Sequence, residues 1–330
     1  MSGQLELGGL GSGAPIPEAA QPLPPREQLM AWRARIPESI RFGTSTWTYP
    51  GWAGQVYSRI WPEQGASARM LAEYARFPLF GTVGIDSSYY GPPRPKTLAG
   101  WARALPPGFP CVSKVWDRIT VHTFTGRREA AELAGRRNPD FLNPNLFLSE
   151  VYAPFREHFG DHTGPFVFEF QTIAGRDAEA AWFTEQLDQF LGVLPTAGRY
   201  AVEVRNEEFL TPAYFAVLRE HNTAHVFNSW SRMPSIGRQL GLDAAVTADF
   251  LLARALLRPG RSYAEAVELF KPYDRIRDRN PELRTDLVRL ATTAQALRIP
   301  AYLIVNNRAE GNAPHTIAAL ARMLAEGSAP

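Results

Sequence analysis

Residues 199–205 read RYAVEVR. Successive side chains of a strand point to opposite faces, so Ala201, Glu203 and Arg205 share one face and Tyr200, Val202 and Val204 the other. One face is apolar and packs; the other turns to charge at its C-terminal end. That is the layout of a barrel strand, which lies under helices on one side and delivers polar groups to a shared mouth at its end. The ending recurs along the chain. PFVFEFQ (165–171) finishes on Glu169 and Gln171, AYLIVNN (301–307) on Asn306 and Asn307, and PCVSKVW (110–116) carries Lys114.

Working outward, strands are expected at 41–47, 81–87, 110–116, 165–171, 199–205, 224–229, 250–256 and 301–307. Helical periods alternate with them: ASARMLAEYARF after the first, DAEAAWFTEQLDQFL after the fourth, TPAYFAVLREH after the fifth, NPELRTDLVRLATTAQAL before the eighth and PHTIAALARMLAEG after it. TPAYFAVLREH opens with a Thr cap and a Pro at the first helical position. Strands that alternate with helices pair in parallel, because parallel neighbours need a crossover. Eight such units predict an α/β protein, a closed (β/α)8 TIM barrel. An open doubly wound sheet would carry a Gly-rich phosphate turn, and neither GxGxxG nor a P-loop occurs. The long stretch between the third and fourth strands is expected to hold a helix at NLFLSEVYAPFREHF (145–159), with the remainder forming a flap over the site.

Residues 1–25 hold five Gly and five Pro and no sustained apolar period, which predicts a disordered tail ahead of one barrel domain at 26–330. REQLMAWRARI (26–36) reads as a short helix before the first strand. The chain of 330 residues is 45% apolar and 12% aromatic, enough for a large core. A net charge of +2 permits phosphate contact without predicting nucleic-acid binding. The single cysteine, Cys111, excludes an internal disulfide framework and favours a reducing compartment. No apolar run approaches the ~20 residues of a membrane span, and no secretory signal is visible, so the expected location is the cytoplasm, with no membrane partner.

Candidate site residues follow from the strand ends. Lys114 shares a face with Val112 and Trp116; a lysine among apolar neighbours loses proton affinity and suits a general base, a Schiff-base nucleophile or an anion clamp. The bland reading pairs it with Glu203 or Asp86. Asp86, in the run Asp86-Ser87-Ser88-Tyr89-Tyr90, either takes a proton or a substrate hydroxyl, or caps the turn. Glu203 and Arg205 either pair with each other or act on substrate, and burial without partners would be costly. Asn306 and Asn307 supply uncharged donors and acceptors for hydroxyls or phosphate esters. Adjacent residues face opposite ways, so one of the two is expected in the site and the other in the loop. Trp47, Tyr49, Trp52, Tyr57 and Trp61 either stack a base or sugar or simply cover the mouth.

No metal set is predicted. The pairs His158/His162 and His221/His225 precede strands and fall on the stability face of a barrel. His122, just beyond the third strand, is the one histidine placed for the upper face. Asp86, Glu203 and His122 leave a Mg2+ or Mn2+ site open, and no other cofactor is called for.

At these residues the chain resembles the YecE-like family, TIM-barrel proteins carrying a domain of unknown function. GTSTWTYPGWAGQVY, TVGIDSSYYGPP, VSKVWDRIT, AVEVRN and VNNRAEGNAP occur in the family's order between about Arg41 and Leu324. The resemblance implies a (β/α)8 barrel. It marks Lys114, Gln171, Glu203, Arg205, Arg254, Asn306 and Asn307 as site positions. The chain departs where the family has Glu and this sequence has Gly84, and where the family has Asn and this sequence has Asp86. The family's Thr-His pair is stretched here to Thr120-Val121-His122.

The expected function is acid–base catalysis on a small polar or phosphorylated substrate, by a hydrolase, lyase or isomerase. Glu203 is the expected base or acid, Lys114 the proton donor or clamp, with Asp86 and His122 as further titratable groups. Arg205 and Arg254 would hold an anionic group, Gln171 and Asn306 would bind hydroxyls, and Trp47 and Tyr49 would line the mouth. Two alternatives stay open: a nucleic-acid-binding or phosphodiester-processing protein using Arg-rich loops, and a ligand-binding scaffold without catalysis.

Overall fold

A computed structural model of the chain describes residues 21–62, 64–125, 131–175 and 179–327. Eight strands appear in the expected places: β1 (Ile40–Thr44), β2 (Val83–Ile85), β3 (Cys111–Lys114), β4 (Thr163–Glu169), β5 (Tyr200–Glu203), β6 (Ala224–Asn228), β7 (Leu251–Ala255) and β8 (Ala301–Val305). They lie in the order β1-β8-β7-β6-β5-β4-β3-β2 and every neighbouring pair is parallel. The barrel closes at β1, where the Phe42 carbonyl accepts from the amides of Gly81 and Thr82. Gly43 makes that approach possible, since a Cβ there would lie 2.3 Å from the Thr82 carbonyl oxygen. This is a single-domain (β/α)8 TIM barrel.

The pleat sorts the interior into layers. Val112, Val167, Ala201, Val226, Leu252 and Ile304 fill the middle of the barrel as one apolar cluster. Two residues further along the same strands come Lys114, Glu169, Glu203, Asn228, Arg254 and Asn306, and Glu169 pairs in register with Glu203 as Asn228 does with Arg254. Two residues earlier stand Phe250 and Tyr302, edge to face, with Arg199 beside them. The alternate positions, such as Phe166, Phe168, Val202, Phe227 and Leu303, face the helices and join the large outer core.

The helices form where apolar residues recur at helical spacing, and the Thr cap expected after the fifth strand is one of several side-chain caps. Thr211 accepts from the Tyr214 amide ahead of Pro212–Glu220, Asn280 from Leu283 ahead of Pro281–Leu297, and Asn312 from His315 ahead of Ala313–Glu326. The helix expected at 145–159 is a run of helical turns, Pro144–Phe147, Leu148–Tyr152 and Ala153–His158, the middle one a π turn. The rest of that connection holds a short helix, Asp117–Thr120, and an antiparallel bridge between Thr123 and Arg137.

The C-terminal end of the expected tail lies among the described residues. Residues 1–20 lie outside the described residues, but Gln21 is tied down. Its amide donates to the Asp274 carbonyl, its own carbonyl accepts from Gln55 and is 3.0 Å from His315 Nε2, and its side-chain oxygen accepts from the Ile276 amide. A Pro-rich segment forms no core of its own, yet it needs little ordering entropy to lie along one.

Candidate functional site

The upper interior layer is a network of three cations and three carboxylates brought from five strands. Glu169 is its centre. One oxygen, Oε2, lies 2.8 Å from Lys114 Nζ, 3.1 Å from Arg205 Nη2 and 2.8 Å from Arg254 Nη1. Glu203 holds the two arginines from the other side, at 2.7 Å from Arg205 Nη2 and 2.5 Å from Arg254 Nη1. The Arg205–Glu203 contact is a close charge pair whose N–H directions miss the oxygen, since Glu203 Oε1 has no aligned donor. Asp86, at the turn that follows β2, takes the second Arg254 nitrogen at 2.7 Å.

Burial decides what each member can do. Glu203 is fully buried, Arg254, Arg205 and Glu169 nearly so, and Lys114 sits at the edge of the buried set. The Asp86 side chain is 28% exposed and Gln171 is exposed. Burial alone would raise the Glu169 carboxyl, but Lys114, Arg205 and Arg254 together hold it well below the usual carboxylate range. Burial would likewise weaken the Arg254 cation; Asp86, Glu203 and Glu169 reverse that and keep its proton more firmly than usual.

Aromatic rings cover the cations. Lys114 Nζ lies 3.8 Å from the centre of the Tyr89 ring, and the Arg205 guanidinium 4.1 Å from that of half-buried Trp230. Burial pushes the Tyr89 phenol up, so the ring stays neutral. Gln171 bridges the layer, donating to the Tyr89 hydroxyl at 3.1 Å and to Glu169 Oε1 at 2.8 Å. Arg205 Nη1 reaches Asn228 Oδ1 at 3.4 Å, while Arg205 Nε is buried without an acceptor among the described residues.

The structure thus brings together Lys114, Asp86, Glu203, Arg205, Arg254 and Gln171. Lys114 pairs with neither Glu203 nor Asp86, the partners expected for it, but with Glu169. Glu169, the centre of the network, is one of the polar strand ends read from the sequence but was not among the expected site residues. The signal was present, because Glu169 and Gln171 share a face of β4, and a strand that sends one polar side chain inward sends the other. Tyr89, Trp230 and Asn228 were likewise missed.

The other expected site residues do not join the network. Trp47 is buried under the helices, edge to face with Trp101, its indole donating to the Ser67 carbonyl. Trp52 and Tyr57 join the outer core, and Trp61 stacks under Arg59 and Arg69 beside Glu73. The ring-rich loop folds back onto the helices because these rings bury more apolar area there than at a wet mouth. Tyr49 alone of the group stays near the site; burial, with Asp86 nearby adding to it, pushes its phenol up to about 12. His122 is buried in an aromatic nest with Phe141 and Trp182, its Nδ1 2.9 Å from Thr123 Oγ1. Asn306 Oδ1 caps the Arg308 amide and Asn307 Oδ1 accepts from the Ala313 amide, so both amide oxygens hold the loop. Gly84 fits tightly: a Cβ there would meet the Ser45 backbone at 2.9 Å, so the Glu that the family has at this position has no room here. Among the described residues no group of three or more His, Cys, Asp or Glu side chains is placed to hold a metal ion. No helix among them is long and apolar enough to cross a membrane.

Fold and site together define a TIM barrel with a charge-lined C-terminal mouth. A family profile described as protein of unknown function DUF72 matches residues 41–330, and the chain belongs to that family, in keeping with the YecE-like motifs. Solved structures show the same fold. A DUF72 family protein from Enterococcus faecalis V583 shares 18% identity over 88% of this chain and 97% of its own, with a TM-score of 0.58. One from Thermotoga maritima MSB8 shares 18% over 87% of this chain and 99% of its own, also at 0.58. A comparison with curated proteins gives no match.

Proposed function

We propose that the chain is an enzyme that performs acid–base chemistry on a small polar or phosphorylated substrate at the C-terminal mouth of the barrel. The observation that carries the reading is the convergence of Lys114, Arg205 and Arg254 with Asp86, Glu169 and Glu203 in one partly open layer. Buried opposite charges held by a scaffold at strand ends are characteristic of catalytic sites.

Geometry distributes the roles differently from the strand pattern alone. Glu203 has no exposure and faces two guanidiniums, so it positions Arg205 and Arg254 rather than meeting substrate. Glu169 does the same for all three cations. The groups that face outward are Asp86, with a single ion pair, and Lys114, with a single carboxylate partner. Asp86 then acts as the base, and Lys114 as proton donor or anion clamp, with Gln171 binding a substrate hydroxyl. Tyr89 and Trp230 wall the mouth.

The test is turnover. Wild-type protein is incubated with a panel of phosphorylated sugars, polyols and small hydroxy acids, and consumption is followed by mass spectrometry. For any substrate found, Asp86→Asn should lower kcat by about 10²–10⁴-fold, the range of one general base. Unaltered turnover by that variant would remove Asp86 from the mechanism. Complete pairing of the charges also supports a second reading, a binding scaffold without catalysis, which predicts tight retention of a panel member without conversion.

A further inference from the structure

The opposite mouth of the barrel carries charge of a different kind. Arg41, on β1, and Arg199, just ahead of β5, stand at the N-terminal ends of strands on opposite sides of the barrel, and Arg156 reaches in from the helix Ala153–His158. With Tyr302, Thr163 and Asp161 they line a cavity of about 330 Å3, within the size range of small-molecule sites. Among the described residues none of the three arginines is in a salt bridge. Arg41 donates to the carbonyls of Gly81 and Gly108, and Arg199 to the Tyr302 hydroxyl at 3.3 Å. Asp161, on the rim, reaches none of them as an ion pair. Tyr302 is buried, and its hydroxyl accepts from Arg199 while its own proton has no acceptor among the described residues.

Three guanidiniums against one rim carboxylate that pairs with none of them, beside a buried hydroxyl, give the cavity an excess of positive charge and of donors. Guanidinium forks match the oxygens of phosphate groups, often two bonds at a time. We infer that this N-terminal cavity binds a small phosphate-bearing anion, at a site separate from the proposed mouth and independent of it. The apolar layer of Val112, Val167, Ala201, Val226, Leu252 and Ile304 lies between the two. A cavity of this size suits a free anion rather than a polymer.

Isothermal titration of the full chain with inorganic pyrophosphate at low ionic strength tests this. One saturable site with Kd below about 1 mM is expected. Arg199→Gln and Arg156→Gln, both at exposed positions, should each weaken it about tenfold or more, and Tyr302→Phe, which keeps the ring, several-fold. Lys114→Met should leave it unchanged. Absence of saturable heat would overturn the inference, as would equal binding by wild type and both arginine variants. So would loss of binding in Lys114→Met alone, which would move the anion to the C-terminal mouth, or displacement of pyrophosphate by a DNA duplex too wide to enter.

Discussion

The two mouths of this barrel lie on either side of one apolar layer, and they solve the problem of charge in opposite ways. At the C-terminal mouth, Lys114, Arg205 and Arg254 are balanced by Asp86, Glu169 and Glu203 within 3.1 Å contacts. At the N-terminal mouth, Arg41, Arg156 and Arg199 have no carboxylate in an ion pair among the described residues. The difference follows from burial. A charge inside the barrel costs several kcal/mol unless it is paired, so the upper layer must be self-neutralising to exist. A charge at the rim keeps much of its hydration, so the lower arginines can wait for a ligand.

The largest effect expected from this contrast is on stability. Glu203→Ala leaves two buried guanidiniums short of a partner and should cost about 3–5 kcal/mol in urea unfolding. Arg199→Gln, at the other mouth, should stay within about 0.5 kcal/mol, as exposed substitutions do. Equal costs at the two mouths would break the comparison.

Acid should next separate the upper layer from the outer core. His225 is buried outside the barrel, with Tyr214 and Gln239 at its ring nitrogens, and burial lowers its pKa from 6.5 to about 4. Below pH 6.5 the unfolded chain takes this proton and the folded one does not, so stability falls as pH drops from about 6.5 to 4. The loss is at most about 3 kcal/mol, and His225→Gln should flatten the slope over that window. Glu169 acts further down. Its folded pKa is depressed, so its contribution is present above the unfolded value of about 4.3 and drains away as pH falls toward the folded one. Lys114→Met, which withdraws one of its cations, should shrink that lower step. Unfolding midpoints measured across pH read both.

Within the upper layer, the smallest stability effect belongs to the residue proposed to do most. Asp86 is partly exposed and has one ion pair, so Asp86→Asn should change stability by no more than about 1 kcal/mol while abolishing most turnover. A large loss of stability would place Asp86 with Glu203 as part of the frame.

Much of the fold was legible because periodicity is local. Each of the eight strands was marked by an apolar run of strand length, and the helix after β5 by its own Thr cap and Pro. The site was legible only in part. Alternation told which strand ends carry polar groups inward, and so found Lys114, Glu203 and Arg205, while Gln171 and Arg254 were site residues only by the family resemblance. It could not say that Lys114 would choose Glu169 over Glu203, because both carboxylates face the same interior and the choice depends on register between β3, β4 and β5. The ring-rich segment after β1 was ambiguous for a similar reason: Trp47 and Trp52 are equally good covers for a mouth or for a helix layer, and available buried area decided for the helices.

The order of strands and helices, the face each strand buries and the residues at its ends were all written in the chain, because they depend on neighbours two to four positions apart. Which of those ends pair with which, and which charges are left facing water, was decided by tertiary structure alone. Ion pairing falls off over a few ångströms, and only the closed barrel places side chains from distant strands at that range.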